Sequence, residues 1–181
     1  MSAEMKKHHL LIAHYFWTYG GGSSFKTFKG LCNRLGYLLC EQGLISGENV
    51  SDLQLPDFFS VVYDNEGPML CTAMVILKGW GKNNQFGKPL FSGYYCHVDV
   101  KLCAMSAAAF FLFHRYHIMD EPFPDFSSSQ KWHDISMFCT DFCNNLKAMS
   151  SSGHARAIYE ANSALNISHT KITHAGRRNG R

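Results

Sequence analysis

From Leu102 to Phe113 the chain reads Leu-Cys-Ala-Met-Ser-Ala-Ala-Ala-Phe-Phe-Leu-Phe. Wound as a helix, this run is apolar on nearly every side. A helix without a polar face cannot rest on a surface, so other elements or lipid must wrap it. A membrane span needs about 18 apolar residues, and this run is too short. Protein must therefore do the wrapping, which places a helix from Ala104 to about Met119 at the centre of the domain. His114, Arg115 and His117 mark its exit, where cations favour the negative end of the dipole. With 181 residues, 46% apolar and 14% aromatic, the chain has enough material for one domain, or one with a small helical annex.

Upstream, residues 4–19 predict a helix ended by Gly20, Gly21 and Gly22, which suit a hinge better than a helix. This divides the chain into residues 1–22, an N-terminal helix and glycine hinge, and residues 23–181, the main domain. Ser23 or Ser24 can cap a second helix to about Gln42, with Gly43 as its C-cap. Phe25, Phe28, Leu31, Leu35, Leu38 and Leu39 recur at core-facing steps, while Lys26, Lys29 and Arg34 read as a solvated face. Residues 58–64 and 69–77 predict strands about a turn at Asn65–Pro68, and a third strand is expected near Leu90–Cys96. Between the last two lies Lys-Gly-Trp-Gly-Lys-Asn-Asn-Gln-Phe-Gly-Lys, residues 78–88, whose glycines and asparagines mark a hairpin tip bearing lysines. Further on, residues 121–125 form a proline-stiffened loop. A helix from about Gln130 to Leu146 carries Trp132, Ile135, Phe138, Cys139 and Phe142 on one stripe. Ser150–Gly153 read as a short linker before a last helix from His154 to about Asn166. The fold class is α+β, mainly helical, with a small antiparallel sheet and a hairpin.

Seven cysteines, an odd number without a disulfide rhythm, read as reduced thiols in the core. Cys139, Cys143 and His133 have a spacing that zinc tolerates, but no second tight pair accompanies them, so no metal is expected. Lys6, Lys7 and Leu10–Ile12 imitate the start of a signal peptide. His14 interrupts the run without a small-residue cleavage site, so none is assigned. No glycine-rich nucleotide loop is present, and no cofactor is expected.

Charge is what points to a partner. The formal net charge of +3 is mild, but residues 167–181 carry Lys171, Arg177, Arg178 and Arg181 without an acid. His174 and Arg177 stand in an H-x-x-R spacing that, on a helix, turns both side chains toward one phosphate. Arginine grips such a group with a planar fork and histidine adds a pH-dependent donor. The wording Lys-Ile-Thr-His-Ala-Gly-Arg-Arg, the block Ser46-Gly47-Glu48-Asn49 and the lysine hairpin together resemble the tyrosine recombinase-like domain of fungal Crypton elements. They resemble equally the related second domain of the fungal centromere-binding kinetochore subunit, a DNA binder without recombinase chemistry. The resemblance spans roughly residues 24–181.

That resemblance implies a recombinase-like catalytic-domain fold and double-stranded DNA as the partner. It implies phosphate contacts from Lys82, Lys88, His174, Arg177 and Arg178, with Lys82 at the place of the family's general acid. It also implies that strand transfer is lost. The family opens the 46–49 block with an arginine where this chain has Ser46, and the nucleophilic tyrosine is expected beyond Arg181. Removing one transition-state donor of this kind costs roughly 10²–10³ in rate. The His97-x-Asp99-x-x-x-Cys103 stretch also matches the family, and His97 and Asp99 are expected to order a turn. A homodimer or a protein partner covering the truncated edge, a nuclear location and no membrane association complete the expectation. Two other classes stay open: an active recombinase or integrase, and a transposon-derived relic or interaction protein that does not bind DNA.

Overall fold

The computed structural model describes residues 3–18, 27–64, 66, 70–79, 88–139 and 149–167. Helix α1 (Ala3–Thr18) brings Ile12, Ala13 and Phe16 into the same hydrophobic cluster as the following helix. Helix α2 (Phe28–Gly43) is capped by the Thr27 side chain, which accepts from the Gly30 amide. The expected caps Ser23 and Ser24 lie outside the described residues. Every position from Gly30 to Cys40 is buried, so α2 occupies the centre of the domain.

This corrects the expectation that the apolar run would do so. Helix α4 (Ala104–Phe113) buries Ala104, Ala107, Ala108 and Phe111 but leaves Phe110 and Phe113 in solvent. Composition does not decide between the two helices; the depth of their grooves does. A Cβ on Gly36 would stand 2.8 Å from His154, and one on Gly43 would stand 1.8 Å from the Tyr94 hydroxyl. These two notches let a later helix and the sheet close onto α2. The helix includes Gly43, so the C-cap falls not on that glycine, as expected, but one residue later, on Leu44 at φ 53°.

The sheet is a three-stranded antiparallel meander of β1 (Phe58–Tyr63), β2 (Cys71–Lys78) and β3 (Leu90–Tyr95). Its register pairs Phe58 with Ile76 and Met74 with Tyr94. Strand alternation therefore turns Met74, Ile76, Ser92 and Tyr94 to the helices. The opposite face carries Phe59 against Phe91 and Tyr63 against Tyr95, all exposed. Tyr94 donates to the Leu39 carbonyl at 3.0 Å and Ser92 to the Gly43 carbonyl at 2.9 Å. Two hydroxyls of β3 thus satisfy carbonyls in the last turns of α2, where helical partners run out.

Three further expectations change. Helix α5 (Ser129–Trp132) ends at Trp132 instead of running toward Leu146, and residues 140–148 lie outside the described set. The stretch after it does not stay helical because its polar backbone is taken elsewhere. Met137 N–H donates to the Leu53 carbonyl, the Ile135 carbonyl accepts from Leu55, and Gln54 bridges Ser136. Ser150–Gly153 are not a linker, since Ser150 caps helix α6 (Ser151–Ala164) by accepting from Gly153. Arg34, expected on a solvated face, is fully buried. It lies three residues after Leu31 and four before Leu38, on the core stripe itself.

Candidate nucleic-acid interface

The antiparallel register pairs Lys78 with Leu90, so residues 79–89 connect β2 to β3 at one end of the sheet. The expected lysine hairpin falls within this connection, and its tip, residues 80–87, lies outside the described residues. Lys88 is exposed just ahead of β3. Lys82, His174, Arg177 and Arg178 lie outside the described residues, as do Lys26 and Cys143. At the end of β2 a groove of about 260 Å³ is lined by Asn49, Asp52, Leu53, Asp57, Leu77 and Lys78. The Asp57 carboxylate is engaged by the Gln54 amide at 2.8 Å. With Asp52 and Asp57 beside Lys78 this groove is not cationic, so its field does not favour a phosphate.

The block carrying Ser46 forms the short helix α3 (Gly47–Ser51). Ser46 is the cap of that helix: its hydroxyl accepts from the Asn49 amide at 3.3 Å and only 8% of the residue is exposed. At the place where the resemblance puts an arginine, the chain has an interior helix cap. α3 packs against α2 and α6, so this part of the chain is held by the core.

Two buried arginines organise the surroundings, and their partners could not be read from spacing. Arg115 lies in a five-residue π-helical turn, His114–Ile118, that continues α4. Its Nε and Nη2 grip the Glu121 carboxylate at 2.5 and 2.6 Å, and Nη1 donates to the Ser136 and Met137 carbonyls at 2.8 and 3.0 Å. Burial works against the charge, but the bidentate carboxylate outweighs it and keeps the guanidinium above its usual value. Arg34 donates from Nη2 to the Val100 carbonyl at 2.5 Å and lies 4.7 Å from the ring centre of Trp17. Burial brings its pKa down to about 10, with Cys103 and Asp99 acting in the opposite sense.

Arg34 thus underpins the turn between β3 and α4. There the Asp99 amide donates to His97 Nδ1, and the Asp99 carboxylate accepts from the Lys101 amide, both at 2.9 Å. His97 and Asp99 order the turn, as expected. Gln42 donates to the Leu102 carbonyl, tying the same turn to α2. Between α1 and this turn runs a groove of about 390 Å³ lined by Lys7, Leu10, Leu11, His14, Asp99, Lys101 and Leu102. Three of its side chains are basic or can be, a juxtaposition of α1 with the β3–α4 turn that no local motif signals. Among the described residues no group of His, Cys, Asp and Glu is arranged to hold a metal ion.

The sequence model of one family, described as the centromere DNA-binding protein complex CBF3 subunit, domain 2, matches residues 23–179. No curated protein and no solved structure matches the chain.

Proposed function

The chain belongs to the family of domain 2 of the CBF3 centromere DNA-binding subunit, and from that premise we propose that it is a DNA-binding component of a nuclear kinetochore assembly. The observation that carries this reading is the extent of the match, which includes both the lysine hairpin and the basic stretch after Ile167. Centromeric DNA would be the ligand and a multiprotein complex the setting, with a homodimer as the simplest further assembly. Among the described residues no helix is long and apolar enough to cross a membrane.

In the finer reading, Lys82, Lys88, His174, Arg177 and Arg178 grip the phosphate backbone on a recombinase-like fold. Such contacts position a protein on the duplex and supply most of its affinity, without selecting a sequence. The same reading holds that the chain carries out no strand transfer. Ser46 supports it, because a hydroxyl engaged in capping α3 offers no positive charge to a scissile phosphate.

A salt-titrated binding assay with a fluorescent duplex tests the proposal, comparing the wild-type chain with His174→Ala/Arg177→Ala. Wild-type affinity is expected to fall steeply with salt. The double variant is expected to bind at least about tenfold more weakly at low salt, with a shallower salt slope. If a chain shown to be folded did not bind DNA at low salt, the reading would fail and an interaction role without DNA would replace it.

A further inference from the structure

We propose that Cys96 and Cys103 are a redox pair that closes reversibly into an intrachain disulfide, with Cys96 as the entry thiol and Cys103 as the resolving one. Their sulfurs lie 3.9 Å apart, within reach of a thiol–thiol hydrogen bond. The two differ in every respect that matters for such a division. Cys96 follows β3 and is exposed, whereas Cys103 is fully buried at the N-cap of α4. Cys103 Sγ accepts from the His97 amide at 3.4 Å and the Ser106 amide at 3.3 Å. Two amides and a helix N-terminus, with the Arg34 guanidinium close enough to act on it, are the surroundings that favour a thiolate. Burial pushes the Cys103 thiol up, but the amide bonds from His97 and Ser106, with the Cys96 thiol, outweigh it and hold it below the ordinary value. The hydrogen bond to Cys103 pushes the Cys96 thiol up.

A capping role for Cys103 explains the Ser106 contact alone. It does not call for a second sulfur beside it, and least of all an exposed one.

The oxidant is a low-molecular-weight disulfide, RSSR. Cys96, as thiolate, attacks one sulfur of RSSR; the R–S–S–R bond breaks, RS⁻ leaves and Cys96 carries a mixed disulfide. The Cys103 thiolate then attacks the Cys96 sulfur, forming the Cys96–Cys103 bond and expelling the second RS⁻. The two thiol protons pass to the two RS⁻ ions, so that two protein thiols are oxidised as one RSSR is reduced to two RSH. The sulfurs must approach from 3.9 Å to the bonded separation of about 2 Å. The exposed stretch from Cys96 to Asp99 is the side that moves. This inference does not depend on the DNA-binding reading.

The test is to equilibrate the native protein in glutathione buffers of rising glutathione disulfide content, block free thiols and map the peptides. The wild type is expected to lose both thiols together, yield a linked Cys96–Cys103 peptide and recover both on adding dithiothreitol. Cys103→Ser keeps a good helix cap, so it should fold as the wild type does and accumulate glutathione on Cys96 without closing. Cys96→Ser should form neither species. The proposal is overturned if folded wild type stops at the Cys96 adduct, if Cys96 instead links two chains, or if neither cysteine reacts.

Discussion

Arg115 shows how much one buried side chain can decide. Its guanidinium joins the end of α4, the loop at Glu121 and the carbonyls of Ser136 and Met137, and it has no exposed surface. Arg115→Ala would leave a carboxylate and two carbonyls without their partner, at a cost of about 3–5 kcal/mol. A urea unfolding curve should show this as a large drop in midpoint. A second residue-scale effect concerns pH. Burial lowers the His154 pKa from 6.5 to about 4 and raises that of Glu41 from 4.5 to about 7. As pH falls below 6.5 the unfolded chain takes up a proton at His154 before the folded one does, so stability is lost down to about pH 4. As pH rises above 4.5 the unfolded chain releases the Glu41 proton first, so stability is lost up to about pH 7. Between 4.5 and 6.5 the two slopes oppose each other. Glu41→Gln removes one of them. Its unfolding free energy, followed by urea titration at each pH, should then fall steadily from pH 6.5 toward 4, by on the order of 3 kcal/mol at the His154 limit, where the wild type stays flatter. His9, also lowered by burial, acts in the same sense as His154.

At the scale of elements, the packing of α2 rests on its glycines. Gly43 admits the Tyr94 ring, whose hydroxyl reaches the Leu39 carbonyl. Gly43→Ala forces that ring away and breaks the contact between sheet and helix, at a cost of about 2–4 kcal/mol. Differential scanning calorimetry should register a midpoint lower by roughly 5–15 °C. The strands were legible because runs such as Met74-Val75-Ile76-Leu77 favour an extended, half-buried backbone and carry turn residues on either side. Leu31, Leu35, Leu38 and Leu39 were legible through their period, and all four are buried. The predicted helix beyond Trp132 was not, although Ile135, Phe138 and Cys139 have helical spacing. An apolar stripe records that side chains are buried. It does not record that Leu53 and Arg115 take the backbone groups a helix would need. The displaced centre has a similar cause: α4 has the more apolar sequence, while α2 has the notches.

For the whole molecule, affinity for DNA should scale with the number of phosphates neutralised. If Lys82, Lys88, His174, Arg177 and Arg178 each engage one, log affinity should fall against log salt with a slope of about −4 to −5 at a pH that protonates the histidine. In the assay described above, a slope near −1 would reject this set of contacts even if binding persisted. The sequence by itself determined the class of the fold, the three strands and the basic ending, because each is a matter of local period, turn chemistry or charge count. Family membership belongs to the same level, being carried by wording along residues 23–179. What it left undecided depended on groups distant in the chain. Arg34 is buried because Val100 and Trp17 receive its cation. Ser46 became an interior cap once α3 packed against α2 and α6. Cys96 and Cys103 became a pair when the turn after β3 folded back to the start of α4. Period shows which residues leave water. Only the tertiary structure decides which groups meet there, because a buried charge or thiol takes its chemistry from its neighbours.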